Sequence, residues 1–468
     1  MNYISSRGRA PQLGFLDTLL AGLADDGGLY LPVSWPQLSH KQIASFKTKT
    51  YEEVAFEVLS PFIGDEIEPE ILRGLINKAY SSFSDQSIAP LRHLEDEHYV
   101  LELFHGPTLA FKDVAMQLLA LLMDHVLATR HQRATIVGAT SGDTGGAAIE
   151  AFRGAEATDI FILYPDGRVS DVQRKQMTTA YEANVHALAI DGTFDDCQAL
   201  VKGMFNDQVF RDRVRLAGVN SINWVRVMAQ TVYYFTAAVA LGAPERDISF
   251  SVPTGNFGDI FAGYVAKQMG LPIKQLMIAT NVNDILVRTL ETGTYARDTV
   301  VATSSPSMDI QVSSNFERLL FEVAGRDGER VQSYMDELRD EGQFTLDDAH
   351  LEAIRRLFVA ARVDQSETDA VMQDVQSRLK LILDPHTAVG LGAARKLASG
   401  DGVPIVTLAT AHPAKFPASV EAACHIHPTP PAHVAELLNR SEKSDFLAND
   451  LSSVESFIEA HARITAKD

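Results

Sequence analysis

The chain has 468 residues, 46% hydrophobic and 22% charged, an ordinary balance for a water-soluble chain with a sizeable core and roughly two or three domains. Its net charge of -20 is spread along the sequence, which excludes a nucleic-acid or anionic-membrane partner and leaves any anionic substrate to be held by local donors. Two cysteines, Cys197 and Cys424, are too few for a disulfide framework.

MNYISSRGRAPQ is polar and lacks the apolar segment of a secretory signal. VYYFTAAVALGA falls short of the roughly 18 residues of a membrane span, so a cytoplasmic protein without a membrane partner is expected. Residues 1–97 read as a mostly helical front domain, with FLDTLLAGLA amphipathic, DDGGLYLP a turn into a short strand, and YEEVAFEVLSPFI a helix. From Leu101 the rhythm changes. ATIVGAT, DIFILYP, VHALAID, DISFSVPT, QLMIATN and PIVTLAT are short β-rich runs separated by helical patterns. That alternation predicts an α/β fold, parallel sheet wrapped by helices, over residues 98–468. A polar region near 326–380 reads as a helical insert or cover, and the tail from Pro428 also reads as helical.

Sites in such sheets open at the carboxyl ends of the strands. Leu101 to Gln117, LELFHGPTLAFKDVAMQ, places Lys112 on a polar turn between a strand and a helix start, where the helix dipole favours the neutral amine that a Schiff-base lysine must supply. In ATIVGATSGDTGG a strand runs into Thr140, Ser141, Gly142, Asp143 and Thr144, hydroxyls and amides suited to a carboxylate or phosphate, or to plain helix capping. In SVPTGNFGD the amides of Gly255, Asn256, Phe257, Gly258 and Asp259 converge ahead of a helix. Neither the Walker A nor the dinucleotide fingerprint is present here, so the phosphate is presented differently from a nucleotide's. PIVTLATAHPAKFP delivers Thr410, His412 and Lys415 to the same rim, and NSINWVR sets Arg226 beside Asn220, Ser221 and Asn223. Cys424, His425 and His427 are packed too tightly for a structural zinc site, and no metal is expected. The absence of GxSxG and HExxH removes the common hydrolase routes.

Taken together, HGPTLAFKD, GATSGDTG, NSIN, PTGNFGD and TAHPAKFP resemble the pyridoxal phosphate enzymes of fold type II, the tryptophan synthase β-like group, and within it the bacterial and fungal threonine synthases. YISSRG and ADDGGLYLP are similar to that family's front domain, so the resemblance spans nearly the whole chain; Ser6 in place of threonine and Trp224 after NSIN are small departures. The resemblance implies a fold type II enzyme with two α/β subdomains and pyridoxal 5'-phosphate on Lys112, which also shuttles protons. It implies that Gly255, Asn256, Phe257, Gly258 and Asp259 cradle the cofactor phosphate and that Thr410 offers its hydroxyl to the pyridine nitrogen. Thr140, Ser141, Asp143 and Thr144 would receive the substrate α-carboxylate, and Arg226, Lys415 and His105 are nominated for the leaving phosphate. The implied reaction converts O-phospho-L-homoserine and water to L-threonine and phosphate, with subdomain motion on substrate binding. A related serine or threonine dehydratase or lyase, and a non-catalytic ligand-binding protein on the same scaffold, stay open, as does the choice between monomer and homodimer.

Overall fold

A computed structural model describes residues 1–140 and 142–464. The front part is less purely helical than its sequence suggests. Asn2–Ser5 lies between Leu13–Gly14 and Tyr30–Pro32 in a three-stranded antiparallel sheet, packed with helices Phe15–Ala21, His40–Ser45, Tyr51–Ile63 and Pro69–Tyr80. YEEVAFEVLSPFI forms one helix because Thr50 and Glu53 close a capping box at its start, satisfying otherwise orphaned donors. Gly64, at φ 66, ends it.

The main sheet has six strands in the order Phe358–Arg362, Ile273–Thr280, Ile248–Pro253, Ile405–Ala409, His98–Glu102 and Leu91–Glu95, parallel except for the last. The division at residue 97 therefore needs correcting: Leu91–Glu95 precedes it but pairs with His98–Glu102 inside the main sheet. The region 326–380 is also more than a helical cover, because FVAAR adds the edge strand Phe358–Arg362 to that sheet. A second, five-stranded sheet runs Asp445–Leu447, Val185–Ile190, Thr158–Pro165, Ala134–Ala139 and Leu216–Ala217, all parallel. Its edge strand Asp445–Leu447 comes from the tail read as helical.

Helix Trp224–Ala240 is buried almost all round, which explains an apolar run too short for a membrane and too long for one face. It packs against helices Tyr51–Ile63, Lys112–Thr129 and Gly258–Gln268. Trp224 wedges among the rings of Tyr3, Trp35 and Phe62, while Ser6 donates to Glu317 at 2.5 Å, so both family departures serve the junction with the front part. Among the described residues no helix is long and apolar enough to cross a membrane.

Candidate active site

Lys112 is the first residue of helix Lys112–Thr129, and the turn before it is fixed from several sides. Thr108 donates to Asp113 through its amide at 2.8 Å and its hydroxyl at 2.6 Å. Gly106 is required there, since a Cβ would fall 2.5 Å from that of Asp113. Phe111 N–H donates to the Thr410 carbonyl at 2.9 Å and His412 N–H to Leu109 at 3.0 Å, a bridge joining the lysine turn to the end of strand Ile405–Ala409. The Lys112 ammonium is buried, 3.7 Å from Asp143 and 4.9 Å from the Phe111 ring centroid. Burial lowers its pKa, Asp143 opposes this, and the cations Lys415 and Arg226 add to the lowering.

The glycine turn follows strand Ile248–Pro253 and opens helix Gly258–Gln268. Among the described residues, no acceptor is bonded to the amides from Gly255 to Asp259, which leaves an anion nest at a helix N-terminus. Phe257 adopts a left-handed φ of 64 and is held by rings Phe316 and Phe358 at 5.3 and 5.7 Å. Asn315 and Ser313 fix the outward carbonyls, Asn315 N–H and Nδ2 donating to Asn256 and Ser313 Oγ to Gly255. Asp259 Oδ1 accepts from Tyr233 at 2.5 Å and Tyr234 at 3.1 Å, while Oδ2 has no partner among the described residues, so the donor it offers the nest is its amide.

Arg226 is buried on helix Trp224–Ala240, not on a surface. Its guanidinium makes one long bond, 3.4 Å to the Val219 carbonyl, its Nε has no partner, and among the described residues no carboxylate pairs with it. Burial pushes it down to about 10. An uncompensated buried cation calls for an anion. Thr410 accepts at its carbonyl from Phe111, and its hydroxyl has no partner among the described residues. An amine, an amide nest, a buried guanidinium and a free hydroxyl on converging strand ends fit a phosphorylated aldehyde cofactor.

Comparison with known proteins then decides the family. Residues 87–410 match the model described as pyridoxal-phosphate dependent enzyme, residues 2–80 that of the threonine synthase N terminus, and 387–458 that of its C-terminal part. A threonine synthase of Pseudomonas aeruginosa is 51% identical over 98% of both chains. The chain belongs to the threonine synthase family. A crystal structure of PLP-bound threonine synthase from Brucella melitensis is similar at TM-score 0.98 and 59% identity, covering 99% of this chain and 100% of that one. The yeast threonine synthase structure has TM-score 0.94 at 39% identity, covering 98% of each chain. The chain is accordingly a pyridoxal-phosphate-dependent enzyme of fold type II, with two parallel-stranded α/β sheets.

Within this threonine synthase fold, several residues stand otherwise than their motifs suggest. Asp143 is buried with its carboxylate between Lys415 at 3.2 Å and Lys112 at 3.7 Å, and accepts from Gln173 at 2.9 Å and Ser307 at 3.1 Å. Burial raises its pKa, but the two ammonium groups overcome that and hold the carboxylate ionised, which makes its side chain a poor partner for a substrate carboxylate. Thr140 Oγ accepts from the amides of Gly142 and Gly145, both at 2.9 Å, so it braces its own loop and keeps one hydroxyl proton to offer. Thr144 sits half-buried in the first turn of helix Asp143–Phe152; Ser141 lies outside the described residues. His105 turns Nε2 to Glu102 at 2.9 Å, and Glu102 in turn pairs with Arg92.

Ser307 and His386 carried no sequence signal. Ser307 N–H can only donate, so His386 Nε2, 3.2 Å away, accepts, and Nδ1–H donates to Asp384 at 2.8 Å. Ser307 thereby links that pair to Asp143 and also closes over Gly255.

Proposed function

We propose that this enzyme converts O-phospho-L-homoserine and water to L-threonine and phosphate, as a carbon-oxygen lyase. The observation that carries this reading is the buried amine of Lys112 set on a turn bonded to Thr410, with the Arg226 guanidinium, which has no carboxylate partner among the described residues, close enough to depress it. The glycine turn, Gly255 to Asp259, is assigned to the cofactor phosphate through its free amides and Thr410 to the pyridine nitrogen. The amides of the Thr140 to Thr144 loop are assigned to the substrate carboxylate. Bound pyridoxal phosphate supplies an electron sink for the charge left when a proton departs from the substrate.

Lys112 is then the general base: a buried amine of lowered pKa, within reach of one carboxylate, takes the proton from Cα and returns protons during turnover. Removal of a second proton at Cβ expels the γ-phosphate, for which Arg226 is the assigned donor. Protonation at Cγ, addition of water at Cβ and return of a proton to Cα complete threonine, so one phosphate leaves for each water consumed. Lys415, nominated for the same phosphate, donates to the Thr108 carbonyl and Gln176 and pairs with Asp143, so Arg226 is preferred for that role.

The reading is tested by borohydride reduction followed by mass analysis, and by paired assays of phosphate release from O-phospho-L-homoserine and ketoacid formation from threonine. A pyridoxyl mass on Lys112, dominant phosphate release, and loss of both in Lys112→Ala are expected. Dominant ketoacid formation would favour the dehydratase.

A further inference from the structure

Lys415 is wholly buried, and its ammonium is surrounded by protein groups. It donates to the Thr108 carbonyl at 2.7 Å and Gln176 Oε1 at 3.0 Å, and forms an ion pair with Asp143 Oδ1 at 3.2 Å. Gln176 Nε2 also donates to the Thr108 carbonyl at 3.0 Å, closing the arrangement. The other oxygen of Asp143, Oδ2, takes Ser307 Oγ at 3.1 Å and lies 3.7 Å from Lys112.

We infer that Asp143 and Lys415 act on Lys112 as an opposed charge pair: the Asp143 carboxylate turns one oxygen to each ammonium, and together the two set the proton affinity of the Lys112 amine. The inference rests on Lys112 being the cofactor lysine. Asp143 opens the helix that follows strand Ala134–Ala139 of the five-stranded sheet, whereas Lys112 and Lys415 follow strands of the six-stranded one, so the pair joins elements of the two sheets. The charged groups around the Lys112 amine can be enumerated by element. Asp143, opening helix Asp143–Phe152, favours the proton; Lys415, after strand Ile405–Ala409, and Arg226, on helix Trp224–Ala240, oppose it. Asp259, on helix Gly258–Gln268, also faces it but is bonded to Tyr233 and Tyr234, and Asp113, on the lysine's own helix, is bonded to Thr108. His386, on helix Pro385–Leu397, reaches Asp143 through Ser307.

The two ends of the pair must therefore act in opposite directions. Asp143→Asn removes the charge that favours the proton and leaves two cations. Lys415→Met removes one opposing cation, while Gln173 and Ser307 still hold Asp143.

The experiment is a spectrophotometric pH titration of the holoenzyme, whose visible band reports the protonation of the lysine nitrogen. In parallel, the pH dependence of Lys112 acylation by an amine-selective reagent is read by mass spectrometry in cofactor-free protein. Asp143→Asn is expected to lower both midpoints by about one pH unit, a tenfold loss of proton affinity. Lys415→Met is expected to raise them, and Lys415→Arg to leave them near wild type. Unmoved midpoints in Asp143→Asn, or shifts of the same sign in Asp143→Asn and Lys415→Met, would overturn the inference. If Lys415→Met does not fold, Asp143→Asn against Lys415→Arg decides it: a fall in the first with no change in the second supports it, and equal shifts overturn it. If borohydride adds no pyridoxyl mass to wild-type Lys112, the proposed function fails instead, and the acylation profile still decides the role of the charge pair.

Discussion

The Thr410 carbonyl accepts the backbone N–H of Phe111 at 2.9 Å, so the residue before Lys112 is pinned to the end of the strand that presents the Thr410 hydroxyl. Position is thus maintained by the backbone, and the hydroxyl is free for another partner. Thr410→Val, which keeps the shape and the carbonyl, should leave thermal unfolding of the cofactor-free protein within about 0.5 kcal/mol of wild type, the range of a substitution that breaks no protein contact. It should weaken cofactor binding or turnover roughly tenfold, the worth of one hydrogen bond of about 1.4 kcal/mol. Cofactor titration by fluorescence and initial-rate assays check both. Unchanged binding and rate would remove Thr410 from the site.

Arg226 presents the opposite balance of stability and function. Its guanidinium is buried without a carboxylate partner among the described residues, and its Nε is unsatisfied. Replacing such a cation by an apolar chain of similar length is neutral or stabilising, by up to about 4 kcal/mol. Arg226→Met should therefore unfold no earlier than wild type in denaturant, while KM for the phosphorylated substrate rises roughly a hundredfold, as for a lost charged contact of about 3 kcal/mol. Clear destabilisation with an unchanged KM would show that the arginine is structural.

The strand ends were legible because each is a local event: a β-rich run, then glycine or hydroxyl residues, then helical spacing. Thr140, Gly255 and Thr410 all follow strands of the two sheets at their carboxyl ends. The partners that join them were not legible, because contact across a cleft leaves no trace in spacing. Asp143 reads as a helix cap, yet its carboxylate is paired with Lys415 from the other sheet. Ser307 and His386 sit in unremarkable loop and helix-start sequence and acquire meaning only from their contacts with Asp143 and Asp384. FVAAR and DFL are short strands whose pairing with neighbours outweighs weak intrinsic preference.

Gly255 tests the cradle through sterics. A Cβ there would stand 2.5 Å from the Ser307 carbonyl oxygen, and a backbone atom cannot swing aside as a side-chain end can. Gly255→Ala must therefore move either the glycine turn or the Ser307 segment, at a cost of about 1–3 kcal/mol for overpacking. Because Ser307 also holds Asp143, both cofactor retention and the Lys112 environment should suffer. The checks are cofactor content per chain after gel filtration and the thermal midpoint. Full retention with an unshifted midpoint would mean that the turn is looser than its packing indicates.

Asp259 gives a pH dependence with a defined sign. Burial pushes its carboxyl from 3.8 up to about 6, and the hydroxyls of Tyr233 and Tyr234 offset only part of that. Folding therefore favours the protonated acid, and the associated stability is complete below the unfolded value, near pH 3.8, and is lost as pH rises through about 6. The window lies between those values, and its full size is up to about 3 kcal/mol for a shift of roughly two units. Asp259→Asn keeps an acceptor for the tyrosines but does not ionise, so it should remove that slope and gain on wild type above pH 6. Urea unfolding of both cofactor-free proteins at a series of pH values between 4 and 8 measures the difference. A difference that stays constant across the series would remove Asp259 as the source of the slope, and one that favours wild type increasingly as pH rises would place the ionised carboxylate among the stabilising groups; either overturns the assignment.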